Sequence, residues 1–153
     1  MNKSVIFDLD GTLALIDTRR KISTKPNGKI DWDKFFDPKN INLDRPNWPV
    51  IDTLNLFRDK GLNIVIFSGR SEITKDATVD WLNKFDVPFD VLKMRPTSKE
   101  FKFKSDDKLK EDWLNELFPN KSDIFAVFDD RDKVVKMWRE NGLTCFQVAD
   151  GNF

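Results

Sequence analysis

Short apolar runs alternate along the chain with segments of helical period. Five of these runs are predicted to be strands, and several are uninterrupted, which is typical of strands covered on both faces. The predicted strands are Val5–Asp8, Ile64–Phe67, Val91–Met94, Ile124–Phe128 and Cys145–Val148.

Apolar residues three or four positions apart predict helices between the strands. The helical sets are Ile51, Leu54 and Phe57; Ile73, Ala77, Trp81 and Phe85; Leu109, Trp113 and Leu117; and Val134 with Trp138. Gly61 and Gly142 follow two of these sets, as glycines commonly do at helix ends. Regular alternation of strands and helices predicts one α/β domain over residues 1–153, with a mainly parallel sheet.

Residues 15–49 interrupt the alternation, because they hold four prolines and no long helix or strand pattern. We interpret the segment as an insertion after the first strand, too short to be an independent domain. Its aromatic residues Trp32, Phe35 and Phe36 either pack the insertion onto the core or line the edge of a substrate site. Long loops in compact domains are usually functional.

The composition removes several classes of chemistry. The 153 residues include 26 basic and 26 acidic side chains, no His and one Cys. The absence of His excludes Ser-His-Asp and Cys-His catalysis and His-bound zinc sites. The single Cys145 excludes an internal disulfide, and we expect it to be a buried, unreactive strand residue. Carboxylates, hydroxyls, Lys and Arg are left to carry any chemistry, with a hard, oxygen-binding cation.

The apolar run near the N-terminus is too short for a signal peptide, and no segment approaches the ~18 apolar residues of a membrane span. We therefore expect a cytoplasmic protein without a membrane partner. The sequence leaves the oligomeric state open.

Polar side chains follow the predicted strands at the edge where open α/β sheets bind ligands. They are Asp8, Asp10, Gly11 and Thr12; Ser68, Gly69 and Arg70; and Asp129, Asp130 and Arg131, with Lys108 and Lys110 at the start of the helix before the fourth strand. Clustered carboxylates repel each other and need a cation, and without His or thiolate ligands we expect Mg²⁺. Such a site ringed by hydroxyls, Lys and Arg suits phosphoryl groups. Ser68-Gly69 is also a possible helix start, where anions bind well.

The order of these motifs resembles the haloacid dehalogenase superfamily. Phe67–Glu72, Met94-Arg95, Val127–Arg131 and Gln147–Gly151 further resemble one branch, the 3′-phosphatase domain of phage polynucleotide kinase/phosphatases. The resemblance implies a Rossmann-like fold with five parallel strands in the order 5-4-1-2-3, helices on both faces and a small insertion after strand 1. Since no GxxxxGK[ST] motif is present, we do not expect a kinase activity in this chain.

The resemblance also implies roles for the acidic residues. Asp8 would be the nucleophile that forms an aspartyl-phosphate, and Asp10 the general acid and then the general base. Mg²⁺ would be bound by Asp8, by the backbone carbonyl of Asp10 and by Asp130. Asp129 would act through water or by orienting the catalytic Lys.

Further residues are expected to contact the phosphate or to organise the site. Thr12, Ser68 and Gly69 would bind phosphate oxygens. The resemblance to the branch implies that the catalytic Lys is Lys110, by its spacing to Asp106, with Lys108 as the second choice. Arg19, Arg70 and Asp106 match the branch and would contact substrate or organise the site, and Arg131 and Arg95 are additional candidates.

Residues 93–110 carry six Lys and one Arg against three acidic residues, a net charge of +4, with Phe101 and Phe103 interleaved. This pattern fits single-stranded nucleic acid, which stacks on rings and binds cations. It equally fits an edge strand protected by lysines.

We therefore predict a Mg²⁺-dependent phosphatase that removes 3′-phosphate from DNA or RNA ends. The alternative is the same chemistry on small molecules such as nucleoside monophosphates. A third hypothesis, a phosphoacceptor receiver module, is disfavoured, because receivers have their phosphorylated Asp after the third strand. Here that strand ends at Met94-Arg95.

Overall fold

The computed structural model describes residues 2–153 and contains a five-stranded parallel sheet. Its strands are β1 (Ser4–Phe7), β4 (Asn63–Ser71), β5 (Val91–Arg95), β6 (Ile124–Asp129) and β7 (Cys145–Gln147). The spatial order is β5-β4-β1-β6-β7, so β1 lies at the centre and the predicted strand order is confirmed.

Helices cover both faces of this sheet, as predicted. The main helices are α3 (Trp48–Asp59), α4 (Lys75–Lys84), α6 (Asp106–Leu117) and α7 (Asp132–Glu140). Side chains of β1 alternate between two apolar clusters: Val5 and Phe7 pack with the α3 and α4 side, and Ile6 packs with the α6 and α7 side. Because the central strand is buried on both faces, its apolar run is continuous.

The helical set that begins at Ile73 is wrong at its first member. Ile73 is exposed and lies in a turn of 3-10 helix, Glu72–Thr74, and α4 begins only at Lys75. The following members of that set, Ala77, Trp81 and Phe85, pack against the core cluster as expected.

The insertion begins and ends with two short strands that pair with each other. Strand β2 (Ala14–Leu15) pairs antiparallel with β3 (Arg45–Pro46) and so joins the two ends of the insertion. Between them lie α1 (Asp17–Ser23), α2 (Trp32–Phe35) and a 3-10 segment, Pro38–Leu43. A short helix, α5 (Lys99–Lys102), lies between β5 and α6.

The expected helix start at Ser68-Gly69 is wrong. Both residues lie inside β4, which continues to Ser71 after a shift of register beyond Phe67. The longer strand has a tertiary cause. The buried side chain of Arg70 forms ion pairs with Asp10 and Asp44, and these contacts hold the backbone at Arg70 in an extended conformation.

Within residues 2–153, no helix is both long and apolar enough to cross a membrane.

Candidate active site

Three carboxylates converge at the carboxyl ends of β1 and β6. Asp8 follows β1, Asp129 ends β6 and Asp130 comes next, and one carboxylate oxygen from each lies within 4.8 Å of the others. Burial, followed by repulsion from Asp129, raises the pKa of Asp8 well above its ordinary value. Burial likewise raises the pKa of Asp130.

Lys110 is the cation paired with this cluster. Its Nζ donates to Asp8 Oδ1 at 2.7 Å and to Asp129 Oδ2 at 3.0 Å, and the residue is 2% exposed. Burial acts to lower the pKa of Lys110, but Asp129 and Asp8 outweigh it and raise that pKa. The ammonium therefore stays charged.

The donor set fits a divalent metal. Three carboxylates face one ammonium, which leaves a formal charge of −2 that a hard divalent ion would balance. Gly11, at φ +83°, makes room for this arrangement, because a Cβ there would lie 2.1 Å from Asp130 Oδ2. The residues present thus suit the expected Mg²⁺.

Asp129 has a fixed orientation. Its Oδ2 accepts from Lys110 and, at 3.0 Å, from the indole Nε1 of Trp138. Its Oδ1 accepts from the backbone N–H of Asp130 at 2.8 Å. This geometry fits the expected role of orienting the Lys.

The two expected hydroxyl donors are both buried. Thr12 Oγ1 donates to Asp8 Oδ2 at 3.2 Å. Ser68 Oγ accepts from the backbone N–H of Arg70 at 3.1 Å. An accepting hydroxyl still has its own proton to donate, so Ser68 is equipped to bind an incoming oxygen.

The side chain of Asp10 binds two arginines and is not part of the cluster of three carboxylates. Its Oδ1 accepts from Arg70 Nε at 2.7 Å and from Arg19 Nη2 at 2.9 Å. Burial acts to raise the pKa of Asp10, but Arg70 and Arg19 outweigh it and lower that pKa. Both arginine side chains are completely buried, whereas the Asp10 side chain is 23% exposed.

Asp44 is a functional-site residue that the sequence analysis missed. It comes from the insertion, its side chain is completely buried, and its carboxylate pairs with both Arg19 and Arg70. No local pattern marks it, because its two partners are 25 and 26 residues away along the chain.

Asp106 lies one layer out from the carboxylates. Its carboxylate accepts from Arg95 Nη2 and, at 3.0 Å, from Arg131 Nη1. It packs against Gly69, where a Cβ would lie 2.6 Å from Asp106 Oδ1. Arg95 also donates to the carbonyl of Gly69 at 3.0 Å. These contacts connect the start of α6 to the end of β4.

Lys108 is exposed, so the structure brings Lys110 and not Lys108 into the cluster. The edge-strand interpretation holds only for residues 93–95 of this basic segment, which end the edge strand β5. The interleaved Lys and Phe lie beyond it, in and next to α5. Phe103 is 88% exposed, and Lys102 Nζ lies 5.6 Å from its ring centroid. An exposed ring beside a cation remains available for contact with a ligand.

The aromatic cluster of the insertion divides between packing and exposure. Phe35 is buried, and the guanidinium of Arg19 lies 4.3 Å from its ring centroid. Trp32 is 59% exposed and stacks on Phe36.

Cys145 is buried with a thiol pKa raised by burial to about 12, as expected for an unreactive residue.

Comparison with known proteins gives a family over the whole described chain. Residues 2–153 match the family described as "Polynucleotide kinase PNKP phosphatase domain". A protein of Autographa californica nuclear polyhedrosis virus, described as "Putative bifunctional polynucleotide kinase/RNA ligase", is 33% identical over 151 residues, which cover 96% of this chain and 19% of the relative. The chain thus spans about a fifth of the length of this relative.

Solved structures agree with this family. A chain of the Pnkp1/Rnl/Hen1 RNA repair complex matches with a TM-score of 0.82 and 32% identity, over 100% of this chain and 44% of that one. A phosphatase from Clostridium acetobutylicum matches with a TM-score of 0.71 and 16% identity, over 96% and 85% of the two chains. The second likeness bears on the fold alone.

Proposed function

The chain belongs to the family of phosphatase domains of the polynucleotide kinase PNKP, and we propose on that premise that it removes 3′-phosphate groups from polynucleotide ends. Family membership makes it a haloacid dehalogenase-like hydrolase of phosphate monoesters. The observation that carries the proposal is the buried ammonium of Lys110, which pairs with both Asp8 and Asp129 beside Asp130. A nucleophile, a fixed positive charge and a set of oxygen ligands thus lie within reach of one phosphate.

Asp8 attacks the phosphorus in line with the leaving oxygen, which gives an aspartyl-phosphate that water then hydrolyses. Lys110 keeps its positive charge beside Asp8 and offsets the negative charge that the phosphate brings. The hydroxyl of Ser68 donates a hydrogen bond to a phosphate oxygen. Thr12, whose hydroxyl donates to Asp8 Oδ2, holds the nucleophile in orientation.

The carboxylates of Asp8 and Asp130 and the backbone carbonyl of Asp10 would hold Mg²⁺. When bound, the ion supplies positive charge that neutralises the carboxylates and the phosphate oxygens. Asp129 contributes chiefly by orienting Lys110, because its Oδ2 already accepts from Lys110 and Trp138.

Asp10 transfers protons in both half-reactions. Although Arg70 and Arg19 lower the pKa of Asp10, the form that carries a proton gives it to the leaving oxygen of the substrate. The resulting carboxylate then removes a proton from the attacking water, which restores the acid. Its side chain lies two residues beyond Asp8 and is partly exposed, so a substrate can reach it.

A polynucleotide substrate is supported by the family and by two exposed aromatic rings. The solved chain that is 32% identical to this one comes from an RNA repair complex. The insertion is small, and the exposed Phe103 and Trp32 offer rings on which bases can stack. The contrasting substrate is a nucleoside monophosphate held under the insertion.

A substrate comparison tests this proposal. Phosphate release is measured with Mg²⁺ from a 3′-phosphorylated oligonucleotide, from the same oligonucleotide phosphorylated at its 5′ end, and from nucleoside 3′- and 5′-monophosphates. We expect the 3′-phosphorylated oligonucleotide to have the highest kcat/KM, by more than about tenfold. Equal rates at both ends would contradict the 3′ specificity, and a preference for mononucleotides would move the substrate to small molecules.

A further inference from the structure

Asp44 joins the insertion to the catalytic residues through two buried arginines. Its Oδ1 accepts from Arg19 Nε at 2.9 Å, and its Oδ2 accepts from Arg19 Nη2 at 3.0 Å and from Arg70 Nη2 at 2.7 Å. The side chains of all three residues are completely buried. The backbone carbonyl of Asp44 also accepts from the indole of Trp81 at 3.0 Å, which fixes its place.

The same arginines donate hydrogen bonds to only one of the two carboxylate oxygens of Asp10. Arg19 Nη2 and Arg70 Nε both donate to Oδ1 of Asp10, and among the contacts of residues 2–153 none falls on its Oδ2. The Nη1 atoms of the two arginines point to other partners, because Arg19 Nη1 donates to the Phe35 carbonyl and Arg70 Nη1 donates to Thr78 Oγ1. One oxygen of Asp10 is therefore fixed, and the other is left for proton transfer.

The charge of this set is balanced by Asp44. Two guanidiniums face two carboxylates, Asp10 and Asp44. Without the charge of Asp44, two buried cations would face Asp10 alone. A guanidinium prefers to bind both oxygens of a carboxylate, so Asp10 Oδ2 would then be drawn toward an arginine.

We propose that Asp44 is a positioning residue for the proton transfer: by holding Arg19 and Arg70, it confines their hydrogen bonds to Oδ1 of Asp10 and leaves Oδ2 to protonate the leaving oxygen. The proposal rests on the acid–base role of Asp10 under the proposed function. It also makes Arg19 and Arg70 part of the orienting framework, consistent with the complete burial of their side chains.

The test uses the need of the leaving group for a proton. The oxygen of an alkyl phosphate leaves poorly unless it is protonated, whereas p-nitrophenolate leaves readily without a proton. We expect Asp44→Asn to lower kcat/KM by about 10²-fold or more on a nucleoside 3′-monophosphate or a 3′-phosphorylated oligonucleotide. The loss on p-nitrophenyl phosphate should be below about tenfold, because that reaction needs little acid catalysis.

Two control variants separate positioning from general loosening of the fold. Asp10→Asn sets the largest selectivity that the assay can register. Thr78→Val removes a buried, uncharged partner of Arg70 and should change the ratio of the two kcat/KM values by less than about threefold. Equal losses on both substrates in Asp44→Asn, no loss, or the same selective loss in Thr78→Val would each overturn the proposal.

If circular dichroism shows that Asp44→Asn is unfolded, Arg19→Gln/Asp44→Asn takes its place, because this pair removes one buried charge of each sign. The same selective loss is expected from it, and an equal loss on both substrates overturns the proposal. The wild-type protein on the oligonucleotide reports on the proposed function separately. A wild type that prefers mononucleotides contradicts the polynucleotide substrate, while the variant ratio still tests Asp44.

Discussion

Single residues of the site differ in how their charge is balanced. The set of Arg19, Arg70, Asp10 and Asp44 is neutral within itself, whereas Lys110 faces three carboxylates. The set of two arginines and two aspartates is therefore held in a fixed geometry. The cluster around Lys110 has an excess of negative charge, which a bound cation would balance. Asp8 and Asp10, two positions apart, have pKa values shifted in opposite directions. Burial and then repulsion from Asp129 raise the pKa of Asp8, whereas Arg70 and Arg19 outweigh burial and lower the pKa of Asp10.

Lys110 gives the clearest prediction at this scale. Lys110→Ala removes the only ammonium that contacts Asp8 among the described residues, so negative charge on the phosphate is no longer offset. We expect kcat on a 3′-phosphorylated oligonucleotide to fall by about 10²-fold or more. Lys108→Ala, two positions away and exposed, is the matched control and should stay within about twofold of wild type. Comparable losses in the two variants would show that the effect is not specific to the site.

The sequence could predict the acidic site residues because each stands directly after a recognisable apolar run. Asp8, Asp129 and Asp130 are of this kind. Asp44 could not be predicted, since it lies in an insertion without period and its partners are distant in sequence. The burial of Arg19 and Arg70 was equally hidden, because the chain order does not indicate which arginines face a buried carboxylate.

At the scale of elements, the end of β7 and the segment after it brace the loop that follows β6 and begins with Asp130. Gln147 Nε2 donates to the Asp130 carbonyl at 3.0 Å, and the Asp132 N–H donates to the Gly151 carbonyl at 2.8 Å. Gly151 packs so closely that a Cβ would lie 1.9 Å from the carbonyl oxygen of Asp130. The position of Asp130 therefore depends on this segment.

Gly151→Ala tests the brace. A clash with backbone cannot be relieved by rotating a side chain, so the segment or the loop must move. We expect the free energy of unfolding to fall by about 1–3 kcal/mol and the Mg²⁺ concentration for half-maximal activity to rise. Asp150→Ala, an exposed neighbour, is the control for both the unfolding and the titration measurements. An unchanged Mg²⁺ requirement in Gly151→Ala would contradict the role given to the segment.

The elements were largely predictable, because strand and helix periods are local. The errors came where tertiary contacts override the local pattern. The predicted end of the second strand at Phe67 fell short of Ser71, since Arg70 is held extended by Asp10 and Asp44. The exposed Ile73 was included in a helical set for its spacing, although it lies outside the helix.

At the scale of the whole molecule, stability and activity compete at the carboxylate cluster. The pKa of Asp8 is raised in the folded protein, so the folded state binds its proton more tightly than the unfolded state. That contribution to stability is present below the unfolded pKa of about 4 and is lost as pH rises through the folded pKa. The pKa of Asp10 is shifted in the opposite direction, so the contribution of Asp10 to the free energy of unfolding is lost only at acidic pH.

This sign gives a measurable pH dependence in the metal-free protein. With EDTA present, the melting temperature of Asp8→Asn minus that of wild type should increase from about pH 5 to about pH 8. Mg²⁺ should raise the melting temperature of wild type at neutral pH more than that of the variant, because ligand binding stabilises the folded state. A difference between variant and wild type that falls with pH would contradict the assignment of repulsion to this cluster.

The central claim is that Asp8 carries the phosphate during turnover, and rapid acid quenching tests it most directly. The protein is mixed with an oligonucleotide that carries a radiolabelled 3′-phosphate, with Mg²⁺, and the quenched protein is examined for label, for its release by hydroxylamine and for its position by peptide mapping. We expect a hydroxylamine-sensitive label on Asp8 that forms before free phosphate appears and is absent from Asp8→Asn. Turnover without labelled protein, or label on a different residue, would contradict it.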